Sequence, residues 1–466
     1  MDKDYQALFV SLKKKSIVTA SMTFQERRKK LKHFLKTFID YRPKIHEAMY
    51  ADFRKSPEET DISEIYAVTS ETRHALRNLK SWMRPHPVST SLVALGTTSY
   101  ITYESLGVIL NISPSNFPFN LTFGPLVNIL AAGNTAVLKP SEHTRHSAIL
   151  IEEIVQKCFS PDEVLVCNGG PEVSQALLQL PFDHIFFTGS PRIGKIVYEH
   201  AATNLVPVTL ELGGKSPTIL DESVNLKKIA PRINWSKYIN GGQMCISTDY
   251  LLVHASQEDE IVTHLITDLK KRYTDQPLSS PFLARCAHPD LFHRLKTQLA
   301  IAIEDGAVIR YGGQSLEEEL FIAPTIISGV PLASPLMQDE IFGPILPIIT
   351  YRHLDEAINI INQLERPLTM NIYSKSKRNI HKIMANTRAG STCINTNTLY
   401  YYEPNLPFGG VGHSGMGRAH GFYAFQSFSN ARSIMKEFLP IGAVDLVKPP
   451  FNNFSRKLLD LIIRWF

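Results

Sequence analysis

Residues 107–112 read Gly-Val-Ile-Leu-Asn-Ile, a short apolar run that is followed by a longer stretch with helical spacing. Similar short runs recur along the chain between helical stretches, at residues 135–138, 164–166, 184–187 and 206–210. Strands that alternate with helices in this way are typical of a parallel, doubly wound sheet. The sequence therefore predicts an α/β fold.

Polar residues stand where several of these predicted strands end. Lys139, the pair Thr188-Gly189 and Glu211 each follow an apolar run directly. Ligands of doubly wound sheets bind at the carboxyl ends of the strands. We therefore expect these residues to converge on one crevice.

Length and composition limit the class of protein. A chain of 466 residues exceeds what one hydrophobic core supports, which favours two large domains with smaller extensions. The net charge of +5 is small for this length, so nucleic acid is not an expected partner. The five cysteines are widely spaced without a C-x-x-C pair, which favours a reducing compartment and no metal site. Since no signal peptide or membrane-spanning run is found, a soluble cytoplasmic protein is expected.

The flanking regions carry local signals of their own. Thr23 to Glu26 reads as a capping box, and Leu31, Phe34, Leu35, Phe38 and Ile39 then follow along one helical face. Residues 92–95 and 100–103 are rich in β-branched and aromatic residues on either side of Gly96, which predicts a hairpin.

A thiol and a carboxylate are the candidate reactive groups. Glu211 opens the segment Glu-Leu-Gly-Gly-Lys-Ser-Pro at residues 211–217, and Cys245 ends Asn-Gly-Gly-Gln-Met-Cys at residues 240–245, after a predicted helix at 226–238. A base and a nucleophile are the two groups that covalent oxidation of a carbonyl needs. An inert buried thiol and a salt bridge between Glu211 and Lys215 are the alternatives.

Three loops supply candidate binding groups. The turn at residues 187–195 contains two glycines before a helix predicted to begin near Gly194, and it fits either a pyrophosphate or an ordinary βα turn. Lys139 and Glu142 could meet ribose hydroxyls, or form a surface turn in which Ser141 caps a helix. Asn116, in the Pro- and Phe-rich loop 113–120, is either an oxyanion donor or an ordinary turn residue.

In this order, the segments resemble the aldehyde dehydrogenase superfamily, and most closely its class 3 branch. The resemblance runs from about residue 23 to residue 428. The segments that match are residues 116–122, 131–134, 138–142, 211–217, 242–245, 340–344 and 407–412.

The resemblance implies a domain organisation. A nucleotide-binding domain would comprise residues 1–85 and 104–210, and an α/β catalytic domain residues 211–400. Residues 86–103 and 401–440 would form a small β bridging element for oligomerisation, which implies a homodimer. Residues 441–466 remain as an amphipathic tail, for which packing against the chain or its partner and weak contact with a membrane surface are both open.

By the same resemblance, Cys245 is the nucleophile, Glu211 the general base, and Asn116 the oxyanion donor together with the backbone N–H of Cys245. The implied cofactor is NAD, with NADP also open. Its implied binding residues are Lys139, Glu142, Thr188, Gly189, Ser190, Gly194, Leu212, Glu340 and Phe342. Two positions depart from the family pattern, because Ser115 stands in place of a tryptophan and His413 in place of an asparagine.

The expected function is NAD(P)-dependent oxidation of apolar aliphatic or aromatic aldehydes to carboxylic acids, through a thiohemiacetal and a thioester on Cys245. Two other classes of protein stay open. One is a nucleotide-independent thiol hydrolase that pairs Cys245 with a histidine such as His254. The other is a non-catalytic scaffold with the same fold.

Overall fold

The computed structural model describes residues 5–439 and 443–465. Its α-helices, in chain order, are α1 (Tyr5–Ala20), α2 (Phe24–Asp40), α3 (Arg42–Phe53), α4 (Pro57–Thr60), α5 (Ala67–Met83), α6 (Pro118–Ala131), α7 (Arg145–Cys158), α8 (Pro171–Leu178), α9 (Pro191–Thr203), α10 (Leu226–Tyr238), α11 (Glu258–Tyr273), α12 (Pro289–Glu304), α13 (Pro335–Gln338), α14 (Leu354–Gln363), α15 (Lys377–Asn386), α16 (Gly421–Ser427), α17 (Ala443–Val447) and α18 (Asn453–Trp465).

The strands are β1 (His86–Val88), β2 (Thr97–Ser105), β3 (Val108–Ile112), β4 (Thr135–Lys139), β5 (Val164–Val166), β6 (His184–Gly189), β7 (Val208–Leu212), β8 (Pro217–Leu220), β9 (Tyr250–His254), β10 (Val308–Tyr311), β11 (Ser315–Leu316), β12 (Phe321–Ile322), β13 (Thr325–Ser328), β14 (Ile345–Tyr351), β15 (Thr369–Tyr373), β16 (Ser391–Ile394), β17 (Gly415–Met416) and β18 (Ser429–Glu437). They form a six-stranded sheet, a seven-stranded sheet, a three-stranded sheet and a two-stranded ribbon.

The six-stranded sheet has the order β17-β7-β6-β3-β4-β5, and all its pairs are parallel except β17 with β7. The chain moves to one side from β3 to β4 and β5, and then to the other side with β6 and β7. The α/β prediction is therefore confirmed. The strand order reverses between β3 and β6, where the loop after Ile112 and the turn after Gly189 flank a crevice.

Two predicted boundaries in this sheet are wrong. Strand β7 begins at Val208 rather than Val206, since Pro207 has no N–H to donate to the ladder, and Glu211 therefore lies within the strand. Helix α9 begins at Pro191, one turn before Gly194, because Ser190 caps it by accepting a hydrogen bond from the backbone N–H of Ile193.

The seven-stranded sheet has the order β10-β13-β14-β9-β8-β15-β16, with β10 as its antiparallel edge strand. One hydrophobic core lies between this sheet and helices such as α12 and α14. It includes Leu295, Ile345 and Ile358. Helix α10 spans the predicted residues, with Pro231 inside it. It is followed by a 3₁₀ turn at Ile239–Gly242.

The predicted hairpin around Gly96 is present, but its first strand was placed wrongly. Strand β2 pairs with β1 rather than with residues 92–95. Leu92–Ala94 forms a 3₁₀ turn that is closed by a hydrogen bond from the Ala94 N–H to the Ser91 carbonyl. The other edge of β2 pairs with β18 along its whole length.

The domain boundaries stay a prediction, although two of them can be compared with strands. The boundary between residues 210 and 211 falls inside β7. The predicted bridging segment 401–440 contains both β18, in the three-stranded sheet, and β17, in the six-stranded sheet.

The amino-terminal helices pack over the six-stranded sheet. The capping box of α2 is confirmed, with Thr23 and Glu26 bonded reciprocally. Phe34 and Phe38 are fully buried and contact Phe123 of α6 in tilted and edge-to-face arrangements, with ring centroids 5.3 and 5.5 Å apart. Ile39 was predicted on the same face, but it is 39 % exposed because it lies beside the face rather than on it. In the described part of the chain, the helices are too short or too polar to span a bilayer.

A buried ion pair stabilises the chain segment that links the two large sheets. Lys215 lies between β7 and β8, and its Nζ is 2.6 Å from Oδ2 of Asp249, with both side chains at most 4 % exposed. Lys215 also donates to the carbonyls of Leu336 and Asp339, at 2.6 and 2.9 Å. Asp249 accepts a hydrogen bond from the backbone N–H of Ile341 at 3.0 Å. The pair thereby fixes the segment 336–341 against the link.

Replacing Lys215 should strongly destabilise the protein. Lys215→Met leaves Asp249 charged and buried without its partner, which costs about 3–5 kcal/mol. The matched control is Lys382→Met, which removes an exposed pair with Asp355 and should cost less than about 1 kcal/mol. Urea titration followed by tryptophan fluorescence measures both. Equal losses in the two variants would contradict this reading of the buried pair.

Candidate active site

Cys245 lies on the loop that leads from the 3₁₀ turn at Ile239–Gly242 towards β9, and its side chain is half-buried. Gly242 in this loop has φ +77°, and a Cβ there would collide with the carbonyl of Gly343. Only glycine permits this close approach. Burial, together with the carboxylates of Glu340 and Glu211, raises the pKa of the Cys245 thiol. The thiol of the free protein is therefore protonated at neutral pH.

Glu211 is buried near the end of β7, between Thr188 of β6 and Gly415 of β17. Neither carboxylate oxygen has a hydrogen-bond partner among the described residues. Burial raises its pKa well above the usual range, and Arg418 opposes this only in part. The predicted alternative, a salt bridge with Lys215, is wrong because Lys215 pairs with Asp249.

Cys245 and Glu211 line the same cavity. Most of the remaining wall is apolar or aromatic, and it includes Leu121, Pro125, Phe186, Tyr401, Tyr402, Pro404, Phe408, Ala424 and Phe428. Tyr401 and Tyr402 line it, whereas Tyr400 stacks on Phe408 with ring centroids 5.9 Å apart. The cavity therefore presents a thiol and a carboxyl group to an apolar ligand.

Asn116 is joined to the cysteine loop by a hydrogen bond rather than lining the cavity. Its side chain is buried, and Nδ2 donates to the carbonyl of Gln243 at 3.0 Å. Gln243 is two residues before Cys245. Since a primary amide carries two N–H groups, one donor of Asn116 remains for another acceptor.

Lys139 and Glu142 lie next to each other at the end of β4. Nζ of Lys139 is 3.0 Å from Oε2 of Glu142 and donates to the Pro140 carbonyl at 2.9 Å. Although burial opposes ionisation, a backbone hydrogen bond and Lys139 hold the pKa of Glu142 below its usual range. The helix after this turn has Thr144 at its N-cap position without a side-chain cap, so the alternative cap by Ser141 is not formed.

The end of β6 carries a buried hydroxyl, and an exposed helix start follows it. Oγ1 of Thr188 is buried without a hydrogen-bond partner in the described structure. Gly189 and Ser190 follow, and Ser190 caps α9. A Cβ on Gly194 would press on the side chain of Leu212, so this glycine lets α9 pack closely on β7. The orphaned hydroxyl and the helix N-terminus fit a phosphate-bearing ligand.

Glu340 and Phe342 lie on the segment held by Lys215 and Asp249. Glu340 is half-buried against Gly213, where any Cβ would collide with its carboxylate, and burial raises its pKa. Phe342 is half-buried with φ +53°, a left-handed conformation that is uncommon for a bulky residue. Arg294 donates to the carbonyls of Glu340 and Ile341 at 3.0 and 2.8 Å. The segment is therefore rigidly held.

The sequence reasoning missed the groups that hold these residues. Asn240 has no role of its own in the motif at residues 240–245, yet its side-chain amide donates hydrogen bonds to the carbonyls of Asn116 and Gln243. Its position before two glycines was the available signal. His254 contacts Ser256 and the Arg352 carbonyl and does not line the cavity, so it offers no base for a thiol hydrolase. Within residues 5–439 and 443–465, no cluster of His, Cys, Asp or Glu could hold a metal ion.

Comparison with known proteins agrees with this geometry. Residues 3–434 match the Aldehyde dehydrogenase family. The chain is 42 % identical to 4,4'-diaponeurosporen-aldehyde dehydrogenase of Staphylococcus aureus, over 92 % of each chain. It is 40 % identical to mouse Aldehyde dehydrogenase family 3 member B3, over 95 % of this chain and 91 % of the relative.

Solved structures of aldehyde dehydrogenases share the fold of this chain. The substrate-bound state of Staphylococcus aureus AldH superposes with a TM-score of 0.94 at 38 % identity, over 98 % of this chain and 99 % of that one. A Mycobacterium tuberculosis aldehyde dehydrogenase in complex with NAD+ gives 0.81 at 27 % identity, over 91 % and 87 %. This chain belongs to the aldehyde dehydrogenase family and is an oxidoreductase that acts on aldehydes.

Proposed function

We propose that this enzyme oxidises apolar aliphatic and aromatic aldehydes to carboxylic acids through a thioester on Cys245. NAD is the proposed cofactor, and NADP is a second one. One observation carries the proposal: Cys245 and the unpartnered carboxyl group of Glu211 face a single cavity whose other walls are mainly apolar. The transfer of an apolar aldehyde from water into this cavity is favourable, because its apolar surface is removed from water.

The residues of the chain account for each chemical step. The Cys245 thiol loses its proton to solvent water, and the thiolate attacks the carbonyl carbon, whose oxygen becomes an oxyanion. The free N–H of Asn116 and the backbone N–H of Cys245 stabilise that charge. A nicotinamide held by Glu340 and Phe342 would supply the hydride acceptor. The thioester that remains on Cys245 is then hydrolysed by water that gives a proton to Glu211.

The raised pKa of Glu211 sets the direction of the pH dependence. Only the ionised carboxylate can take a proton from water. Since burial raises the pKa of Glu211, its ionised fraction grows over a higher pH range than that of an exposed glutamate. The steady-state rate of thioester hydrolysis should therefore increase as the pH rises through that range.

The cofactor preference is argued from Glu142. Its ionised carboxylate beside Lys139 can accept hydrogen bonds from ribose hydroxyl groups, whereas it would repel a ribose phosphate. Thr188, Ser190 and the start of α9 are suited to the pyrophosphate. Glu340 and Phe342 are assigned to the nicotinamide end, and Leu212 supports α9 through its contact with Gly194.

Glu211→Gln should separate the two halves of the reaction. With octanal and NAD, stopped-flow absorbance should show a burst of about one NADH per active site, and then turnover slowed by about 10²- to 10⁴-fold because no base activates water. Cys245→Ser should show neither phase. Glu365→Gln, at a carboxylate that is 58 % exposed, is the matched control and should behave as the unmodified enzyme. Full activity of Cys245→Ser would refute the mechanism.

The proposed homodimer is supported by the edge strand β18. Its outer edge pairs with no described strand, and most of its residues are exposed. Met435 and Phe438 nearby are each 62 % exposed. A long exposed edge with apolar neighbours is a template for pairing with another chain.

Sedimentation velocity at micromolar concentration should therefore give a dimer. The double substitution Met435→Glu with Phe438→Glu should shift the protein to monomer, because carboxylates would be buried in the interface. A monomer for the unmodified protein would exclude the proposal. Lys377→Glu, on α15, controls for the change in net charge.

Weak contact of the tail with a membrane surface is proposed from α18. Phe454, Leu461 and Trp465 lie on one helical face and are 63, 52 and 75 % exposed. Leu458 and Ile462, between them, are only half-buried. Basic residues such as Arg456 and Lys457 lie beside this face and suit anionic headgroups.

Flotation with phosphatidylserine vesicles tests this contact. The intact protein should float with the vesicles at low salt and dissociate from them at high salt, since part of the attraction is electrostatic. Phe454→Glu with Leu461→Glu should abolish flotation, whereas Asp460→Glu should not. If the intact protein does not float, the tail packs on protein instead.

A further inference from the structure

Two loops of the active site are held by one short segment, residues 55–66, which contains α4 and a π-helical turn at Asp61–Tyr66. The first contact is with the loop that carries Asn116. Glu64 is fully buried, and its Oε2 accepts a hydrogen bond from the backbone N–H of Asn120 at 2.8 Å. Nδ2 of Asn120 donates in return to the Ser63 carbonyl at 3.1 Å. The start of α6 is thereby fixed.

Lys55 strengthens this contact. Its ammonium group is buried, 3.6 Å from Oε1 of Glu64 and 4.7 Å from the centre of the Phe117 ring. The opposite charges compensate each other in the interior, and the ring face attracts the ammonium group. Asn116 is therefore followed by two residues, Phe117 and Asn120, that are held by residues 55–64.

The second contact is with the loop that carries Cys245. Oε1 of Glu59 accepts a hydrogen bond from the backbone N–H of Asn240 at 2.8 Å. Asn240 is fully buried, and its Nδ2 donates to the carbonyl of Asn116 at 2.9 Å and to that of Gln243 at 3.1 Å. Since Asn116 itself donates to the Gln243 carbonyl, the two loops are joined by two hydrogen bonds, and the bond from Asn240 to Gln243 braces the cysteine loop internally.

We propose that Asn240 is a positioning residue that fixes the Asn116 amide relative to the backbone N–H of Cys245, and that Glu59 holds Asn240 in place. The two oxyanion donors come from loops separated by more than a hundred residues of sequence. Their spacing depends on the amide of Asn240, which contacts both loops at once. The inference rests on the proposed function, because it concerns the oxyanion that this reaction forms.

The conformation of Asn240 explains why an asparagine suits this position. Its φ and ψ are 54° and 30°, in the left-handed region, which asparagine tolerates better than most residues. Glycine would adopt the same backbone without the amide. Aspartate would keep the shape of the side chain but could not donate to two carbonyls. These two replacements separate the role of the amide from that of the backbone.

The test compares reactions that form an oxyanion with one that does not. In Asn240→Gly and Asn240→Asp, kcat for aldehyde oxidation and for nucleotide-independent ester hydrolysis should fall together by about tenfold to a hundredfold, as expected for misplaced donors. Alkylation of Cys245 by iodoacetamide forms no oxyanion and should change less than about threefold. NADH affinity, measured by fluorescence, should stay the same.

Two results would overturn the proposal. The first is a kcat within about twofold of the unmodified enzyme in Asn240→Gly. The second is an alkylation rate that falls in proportion to kcat, which would place the defect in the thiol itself. Failure of the proposed function is distinguished because the unmodified enzyme would then not reduce NAD with aldehyde.

Glu59 supplies a second pair of variants if the Asn240 variants fold poorly. Glu59→Ala removes the acceptor for the Asn240 N–H and should lower both oxyanion-dependent activities by about tenfold. Glu59→Gln keeps an oxygen acceptor and should recover most of that loss. Equal activity of the two variants would overturn the role of Glu59, since its hydrogen bond would then be irrelevant.

Discussion

The buried ion pair between Lys215 and Asp249 holds together the parts on which the active site depends. Lys215 lies where the chain passes from the six-stranded to the seven-stranded sheet, four residues after Glu211, and Asp249 lies four residues after Cys245. Together they also bind the backbone of residues 336–341. One compensated charge pair thus holds the segments of Glu211, Cys245 and Glu340 relative to one another.

Burial then determines the chemistry of the two reactive groups. Both the thiol of Cys245 and the carboxyl group of Glu211 have raised pKa values, because the apolar surroundings disfavour their charged forms. Burial therefore extends the pH range over which the protonated forms of Cys245 and Glu211 are favoured. Their ionised forms are strong nucleophiles and bases when they do form, which suits an enzyme whose two half-reactions each need one proton transfer.

The proposed oxyanion site differs from these two groups, because neutral hydrogen bonds hold its residues. Asn116 and Cys245 belong to different loops, and the amide of Asn240 joins those loops in the interior. Charged residues of the segment 55–66 hold the loops from behind rather than facing the cavity. Lys55, Glu59 and Glu64 are therefore not among the residues that line the cavity.

The sequence by itself determined the alternation of strands and helices, since apolar runs of strand length and helical periodicities are local properties. It also predicted Cys245 and Glu211 as candidate reactive groups, because glycines beside a thiol and an acid are visible in the chain, and both residues line one cavity of the structure. Strand β7 and helix α9 began elsewhere than predicted, since Pro207 and the cap at Ser190 act through hydrogen bonds that periodicity does not report. The pairing of β2 with β18, the partner of Lys215 and the contacts of Asn240 join residues far apart in sequence. Only the tertiary structure decided them, because a buried polar group pairs with whichever group the fold brings close to it, however far apart the two are in sequence.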